Sequence, residues 1–167
     1  MVFAYYKRLS PAKKKIYRQS DEVGAIQLPG ATSLQPLVEE LAGALKTENK
    51  RLIRSICQRL ANGITNELKV PKIEVEVLAV RPHDDWGELH GQYLPDEGER
   101  PKIQLWMRTA QHKRIVAFRT FLRTLLHELC HHLDYELLSL ADTYHTEGFY
   151  KRESSLFHQL MQEPDKK

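Results

Sequence analysis

The stretch TLLHELCHHLD, residues 124–134, places three histidines, two acids and one cysteine within an apolar pattern. The apolar residues around it recur at helical spacing, and they are Phe118, Leu122, Leu125, Leu129 and Leu133. This spacing predicts a helix with one face in the core. His127 and His131 are four residues apart, so both imidazoles project from one face of that helix. The pattern H-E-x-x-H on a helix therefore predicts a metal site.

The chemistry of zinc explains why these residue types have this spacing. Two neutral imidazoles from adjacent turns can bind one Zn²⁺ with Zn–N bonds of about 2.0–2.1 Å. Glu128 follows His127 by about 100° around the helix, so its carboxylate projects beside the metal. There it can take a proton from a zinc-bound water and later give that proton to a leaving amine. The motif thus predicts a zinc metallopeptidase that has His127 and His131 as ligands and Glu128 as the catalytic residue.

A catalytic zinc needs a third protein ligand and one open position. His145 is the leading candidate, because residues 140–149 interrupt the helical pattern and can return a side chain to the metal. Glu153 is the alternative, since it lies on the apolar face of the last predicted helix and a buried acid needs a partner. Glu153 is expected to be the third ligand, to accept a hydrogen bond from a ligand histidine, or to pair with Arg123 or Arg152.

Other side chains near the motif have several interpretations. Asp134 continues the histidine stripe and is expected to partner a ligand imidazole. His132 either flanks the active-site water or is a partly buried or surface histidine, and Cys130 is expected in the core. Tyr144 and Tyr150 are candidates to stabilise an oxyanion, although most tyrosines simply pack.

The rest of the chain predicts helices around a small sheet. The predicted helices cover about residues 10–20, a segment from Pro36, and residues 48–68, 113–140 and 146–161, and Ser10 and Thr146 are predicted N-caps. The predicted strands are residues 72–80, 88–94 and 102–108, separated by a loop at 81–87 and a turn at 95–101. Gly91 indicates a bulge or a close approach. The expected fold class is α+β, with helices flanking a small three-stranded antiparallel sheet.

The length of the chain and its charge distribution limit the domain organisation and the classes of partner that we expect. The 167 residues suit a single domain, with a basic, mainly helical part at 1–70 and a catalytic core at 71–167. Residues 1–70 carry 12 Lys and Arg against 6 Asp and Glu, whereas residues 71–167 carry 13 against 16. The basic part predicts nucleic acid as a partner, and a solvated surface is the alternative. The basic residues in question are Lys13–Lys15, Lys50, Arg51, Arg54 and Arg59.

The sequence also bears on the compartment. No apolar run approaches the ~20 residues that cross a bilayer, and residues 1–15 lack the features of a secretory signal. Cys57 and Cys130 are far apart and form no C-x-x-C pair, which argues against a disulfide framework. These features predict a cytoplasmic protein that does not bind a membrane.

The motif and its continuation resemble a known family. The sequence HELCH on a helix, followed by His145 with Phe149-Tyr150 four and five residues later, resembles the SprT-like zinc metallopeptidases. The resemblance covers about residues 73–160, and Thr146 stands where the family often has glycine. It implies a minimal zincin-like core in which His127, His131 and His145 bind zinc and Glu128 is the catalytic acid and base. It also implies that an edge strand beside the cleft pairs with an extended protein or peptide substrate.

Two other functions compete with a peptidase. The first is a metal-binding module without catalysis, and the second is a nucleic-acid-associated regulatory module with a structural zinc. Glu128 favours the peptidase over the first, because metal binding alone needs no acid beside the histidines. The second is disfavoured because a structural zinc is closed by four protein ligands, whereas only three histidines converge obviously.

Overall fold

The computed structural model describes residues 2–84, 87–95 and 100–163, and within them the chain forms five α-helices and five β-strands. The helices are α1 (Pro11–Asp21), α2 (Ala31–Thr47), α3 (Lys50–Glu67), α4 (Phe118–Glu136) and α5 (Glu147–Met161). The strands are β1 (Glu74–Val80), β2 (His83–Asp84), β3 (Gly87–Glu88), β4 (Gly91–Leu94) and β5 (Lys102–Arg108). A 3-10 turn, Ala4–Arg8, precedes α1. None of the helices in the described residues has the length and apolar character needed to cross a membrane.

Cap residues fix the starts of three helices. Ser10 caps α1, Asn49 caps α3 and Thr146 caps α5, and each side-chain oxygen accepts a backbone N–H from the first turn. Such caps satisfy donors that have no partner within the helix. The starts predicted at Ser10 and Thr146 are therefore confirmed.

The predicted start of the second helix is wrong. Helix α2 begins at Ala31, five residues before the predicted start at Pro36. The left-handed backbone of Gly30, with φ of 68°, precedes this start, and Pro36 lies inside the helix. Proline lacks an N–H and is favoured in the first turn, which is why the sequence pointed to a later start.

Helix α4, which carries the H-E-x-x-H motif, is shorter than the predicted 113–140 at both ends. At its start, the N–H of Val116 donates to the carbonyl of Met107 at 2.8 Å, so this part of the chain is tied to β5. Lys113 and Ser139 have left-handed φ values of 52° and 53°, which a continuous α-helix does not permit. These local turns confine α4 to Phe118–Glu136.

The three-stranded sheet is mixed, so the prediction of an antiparallel sheet is wrong. Strand β5 lies between β1 and β4, in the order β1-β5-β4. Strands β4 and β5 are consecutive and antiparallel, whereas β1 pairs with β5 in parallel. Alternation of apolar and polar residues shows which face of a strand is buried, but it does not encode the direction of the neighbouring strand.

The region between β1 and β5 contains a small hairpin that the sequence did not indicate. Strands β2 and β3 pair antiparallel where a loop was predicted at 81–87. The predicted strand at 88–94 is split, because Glu88 ends β3 and Gly91 begins β4. Residues 85–86 of the predicted loop and residues 96–99 of the predicted turn lie outside the described residues.

One hydrophobic cluster includes residues from both parts of the chain. Fully buried side chains come from α3, both long strands and the last two helices, and examples are Leu60, Val75, Leu105, Leu125 and Phe157. Each such side chain contributes roughly 1.5–3 kcal/mol through burial. Helix α3 packs against β1, and α4 packs against β4, β5 and α5. The sheet and α5 thereby fix the face of α4 that carries the histidines.

The end of α1 packs closely against the start of α5. The backbone N–H of Gly148 donates to the carboxylate of Asp21 at 3.0 Å, and the hydroxyl groups of Ser20 and Thr146 lie 3.0 Å apart. A Cβ atom added at Gly148 would lie 2.6 Å from the carbonyl oxygens of both Ser20 and Asp21. Glycine is therefore required where the two helices meet.

We expect Gly148→Ala to lower the free energy of unfolding by about 1–3 kcal/mol, because the new methyl group must displace two main-chain carbonyl groups. Urea denaturation measures this change. Gly43→Ala is the matched control, because a Cβ there meets no atom within 4 Å and lies on an exposed helix face. The free energy of unfolding of this control should rise by up to about 1 kcal/mol, because alanine has a higher helix propensity than glycine. Equal stabilities for the two variants would contradict the close packing of α1 on α5.

Candidate metal centre

Three histidines converge at one end of α4. His127 and His131 project from adjacent turns of the helix, and His145 comes from the irregular segment 137–146 between α4 and α5. The Nε2 atom of His145 lies 3.1 Å from Nε2 of His127 and 3.0 Å from Nε2 of His131. This cluster can hold a metal ion.

The other ring nitrogen of His127 is held by a carboxylate. Its Nδ1 atom lies 2.8 Å from Oε1 of Glu153, a side chain that is largely buried. Because a carboxylate only accepts, Nδ1 carries the hydrogen and Nε2 presents its lone pair to the cluster. Arg123 donates to the second carboxylate oxygen at 3.3 Å. The structure thus places Glu153 behind His127 and not among the converging nitrogen atoms.

His131 is held by a relay of two side chains. The Thr143 hydroxyl donates to Oδ2 of Asp134 at 2.7 Å, so its oxygen is free to accept from Nδ1 of His131 at 2.8 Å. Nε2 of His131 therefore also presents a lone pair to the cluster. The sequence predicted that Asp134 partners an imidazole, but the structure places Thr143 between them. Only its position two residues before His145 indicated in the sequence that Thr143 lies near the cluster.

Burial favours the neutral form of His131 and His145. The pKa of His131 is lowered to about 3, chiefly by burial and further by the neighbouring His127 and His145. Burial and His127 also lower the pKa of His145, and Glu153 opposes that shift. Neutral imidazoles keep the lone pairs that bind metals.

Protons alone do not satisfy the three converging nitrogen atoms. Nε2 of His127 and Nε2 of His131 both carry lone pairs, and a proton on Nε2 of His145 can be donated fully to only one of them. A cation between the rings would satisfy all three nitrogens at once. The hydrogen bonds behind the rings therefore leave the cluster able to hold a metal ion.

Glu128 lies beside this cluster and is mostly buried. Its pKa is raised to about 7, chiefly by burial and also by Glu153, whereas His127 and a hydrogen bond from the backbone of Tyr93 oppose the rise. A Cβ at Gly91 would lie 3.1 Å from Cγ of Glu128, so β4 passes directly over this side chain. Of the two interpretations of Gly91, the close approach is confirmed.

The cluster opens into a cleft with a volume of about 700 Å³. Strand β4 is an edge strand of the three-stranded sheet and forms one wall of the cleft. Helix α4 forms the opposite wall through Thr120, Arg123 and Thr124. The three histidines and Glu128 also line this cleft.

The remaining candidates near the motif have different surroundings. His132 is fully buried, and its Nε2 lies 2.7 Å from the carbonyl oxygen of Pro71, so it packs against the strand region and does not face the cluster. Cys130 is fully buried, which confirms the prediction of a core position. The ring of Tyr150 lies 5.8 Å from that of His145, whereas the ring of Tyr144 lies near Tyr17. A part for either tyrosine in catalysis stays a prediction.

Tyr93 is a residue of the cleft that the sequence did not single out. It lies on β4, and its ring stacks on His131 with centroids 6.2 Å apart and an interplanar angle of 22°. Its only sequence signal is the strand alternation that places it on the same face as Gly91. Its hydroxyl lies 3.4 Å from Nδ1 of the buried His132.

Part of the predicted nucleic-acid surface makes contacts within the chain. Arg59 pairs with Glu40 at 3.1 Å, and Nε of Arg54 donates to a backbone carbonyl of β1 at 3.2 Å. Lys14 lies over the ring of Tyr6, at 5.3 Å from its centroid. A nucleic-acid partner stays a prediction.

Comparison of the chain with protein-family models, with curated proteins and with solved structures found no match. The resemblance to SprT-like metallopeptidases accordingly stays a prediction that is carried by the motif residues. The functional interpretation depends on the geometry of the histidine cluster and of the groups around it.

We expect Arg152→Met to lower the free energy of unfolding by about 3–5 kcal/mol, because it leaves Asp134 as an unpaired buried charge. The two side chains lie 3.0 Å apart and are fully buried. Arg59→Met is the control, because its ion pair with Glu40 is half exposed and should contribute less than about 1 kcal/mol. Urea denaturation of both variants compares them. Equal decreases in the free energy of unfolding for the two variants would show that the buried ion pair contributes no more to stability than the exposed one.

Proposed function

We propose that the protein is a zinc-dependent metallopeptidase in which His127, His131 and His145 bind the metal and Glu128 transfers the proton. The observation that carries this proposal is the position of Nε2 of His145, which lies 3.0–3.1 Å from Nε2 of both His127 and His131, with Glu128 lining the same cleft. A carboxylate beside the ligands is unnecessary for metal storage, and it is what peptide hydrolysis requires.

The donor set fits zinc. Tetrahedral zinc with Zn–N bonds of about 2.0–2.1 Å requires ligand nitrogens roughly 3.3 Å apart. The two separations from Nε2 of His145, 3.0 Å and 3.1 Å, are close to this value, and all three nitrogens lie within 4.8 Å of one another. Neutral imidazoles are common zinc ligands. Among the described residues no further histidine, cysteine or acid joins the group, which leaves a position for water or substrate. Glu153 and the Thr143–Asp134 pair orient two of the rings, as outer partners do in zinc sites.

Glu128 supplies the proton transfers of the proposed reaction. Zinc held by the histidines would polarise the scissile carbonyl and make water more acidic. Glu128 accepts a proton from the attacking water, whose oxygen forms the new bond to the carbonyl carbon. The C–N bond then breaks, and Glu128 gives the proton to the leaving nitrogen. Burial of Glu128 beneath β4 keeps the carboxylate next to the histidines.

The shape of the cleft supports an extended peptide as the substrate. Strand β4 forms the wall above Glu128, and an edge strand can pair with an extended chain through backbone hydrogen bonds. Gly91 brings this strand close to α4. The packing of α4 beneath β4 and β5 supports the minimal zincin-like core that the sequence predicted.

We expect the purified protein to contain close to one zinc ion per chain by elemental analysis. His145→Ala should abolish tight binding, because it removes one of the three converging nitrogens. Glu153→Gln should keep zinc with roughly 10–100-fold lower affinity, because it weakens only the hydrogen bond behind His127. If His145→Ala kept tight zinc binding and Glu153→Gln lost it, Glu153 would be the third zinc ligand in place of His145.

We expect Glu128→Gln to retain zinc and to hydrolyse an unfolded protein substrate about 10²–10⁴-fold more slowly, because glutamine cannot take the proton. Glu136→Gln is the matched control, since Glu136 is an exposed acid on the same helix. Its activity should equal that of the wild type. Undiminished proteolysis in Glu128→Gln would refute the mechanism. A zinc-loaded wild type that is inactive on peptides would favour a non-catalytic metal-binding module.

A further inference from the structure

His145 differs from the other two histidines in how it is held. His127 and His131 lie on α4, whereas His145 lies in segment 137–146, which forms no helix or strand. Residues on irregular segments are positioned less sharply than residues on helices. The place of His145 therefore depends on what packs against that segment.

The chain that packs there is the N-terminal segment, residues 2–21. The hydroxyl of Tyr5 donates to the backbone carbonyl oxygen of His145 at 2.7 Å. The Tyr5 ring packs edge-on against Tyr17, with centroids 5.5 Å apart, and lies near Tyr144. Because Tyr17 is fully buried on α1, it gives Tyr5 a fixed support.

The segment that carries Tyr5 also contacts both α1 and α5. The hydroxyl of Tyr17 accepts a hydrogen bond from the backbone N–H of Phe3 at 2.9 Å. The ring of Phe3 meets Tyr150 on α5 edge-on, with centroids 6.2 Å apart. These contacts hold the N-terminal segment across the start of α5, next to His145.

A second connection joins the N-terminal segment to His131. Arg152 donates to the carbonyl and the hydroxyl of Ser20 at the end of α1, and it pairs with Asp134 at 3.0 Å. Asp134 accepts from the Thr143 hydroxyl, which in turn contacts Nδ1 of His131. The segment thus reaches two of the three histidines through separate routes.

We propose that the N-terminal segment is an integral part of the metal centre and that Tyr5 is a positioning residue for His145. The proposal rests on the proposed function only in taking zinc as the bound metal, and it does not depend on peptide hydrolysis. Because binding linkage is reciprocal, zinc and the docked N-terminal segment stabilise each other.

The test compares Tyr5→Phe with Tyr6→Phe in the full-length, metal-free protein. Tyr6 is the matched control, because its ring also packs on Tyr17 and its hydroxyl accepts from Arg18 on α1. Each variant therefore loses one hydroxyl and one hydrogen bond from the same turn. Zinc affinity is measured by competition with a chromophoric chelator. Tyr5→Phe should bind zinc about three- to tenfold more weakly, which is the usual effect of one hydrogen bond, and Tyr6→Phe should match the wild type.

Hydrogen exchange gives a second measurement, whose main comparison is the wild type with and without zinc. Zinc should slow amide exchange in residues 3–9, and Tyr5→Phe should reduce that protection. Equal zinc affinities for the two variants, or no effect of zinc on exchange in the wild type, would overturn this proposal and leave the peptidase intact. Zinc-linked protection in an inactive wild type would refute the peptidase alone. A wild type that binds no zinc would overturn both.

Discussion

The buried ion pair between Arg152 and Asp134 is the interaction on which the arrangement of the site depends. Burying two charges costs several kcal/mol per ion, and this cost is offset only when further hydrogen bonds satisfy both groups. Here Arg152 also donates to backbone and side-chain oxygens at the end of α1, and Asp134 also accepts from Thr143. The pair therefore fixes α1, α4, α5 and the segment before His145 relative to one another.

This arrangement explains why the histidines point inward with free lone pairs. Glu153 and Thr143 each accept an Nδ1–H, which leaves Nε2 as the atom that faces the cluster. Glu153 contacts His127 directly and Asp134 reaches His131 through Thr143, and neither carboxylate lies among the converging nitrogen atoms. Glu128 differs, because β4 passes over it and it lines the cleft itself. In the proposed mechanism, orientation of the ligands and transfer of protons therefore belong to different carboxylates.

The irregular segment that carries His145 gains its order from distant parts of the chain. Tyr5 approaches it from the N-terminus, and the Thr143 hydroxyl ties it to α4. A loop can present a ligand between two helical ones when several independent contacts fix its backbone. The N-terminal part of the chain consequently packs directly beside the histidine cluster.

The sequence by itself determined the face of α4 that carries the H-E-x-x-H motif and the starts of α1 and α5, because helical periodicity and capping are local. The sequence also indicated His145 as the leading candidate for the third ligand. Only the tertiary structure decided the parallel pairing of β1 with β5 and the length of α4, because these depend on contacts with strands elsewhere in the chain. The same holds for Glu153 behind His127, and for Thr143, Tyr93 and Tyr5. Their roles arise from hydrogen bonds and ring contacts between residues 12 to 140 positions apart, for which a local pattern carries no signal.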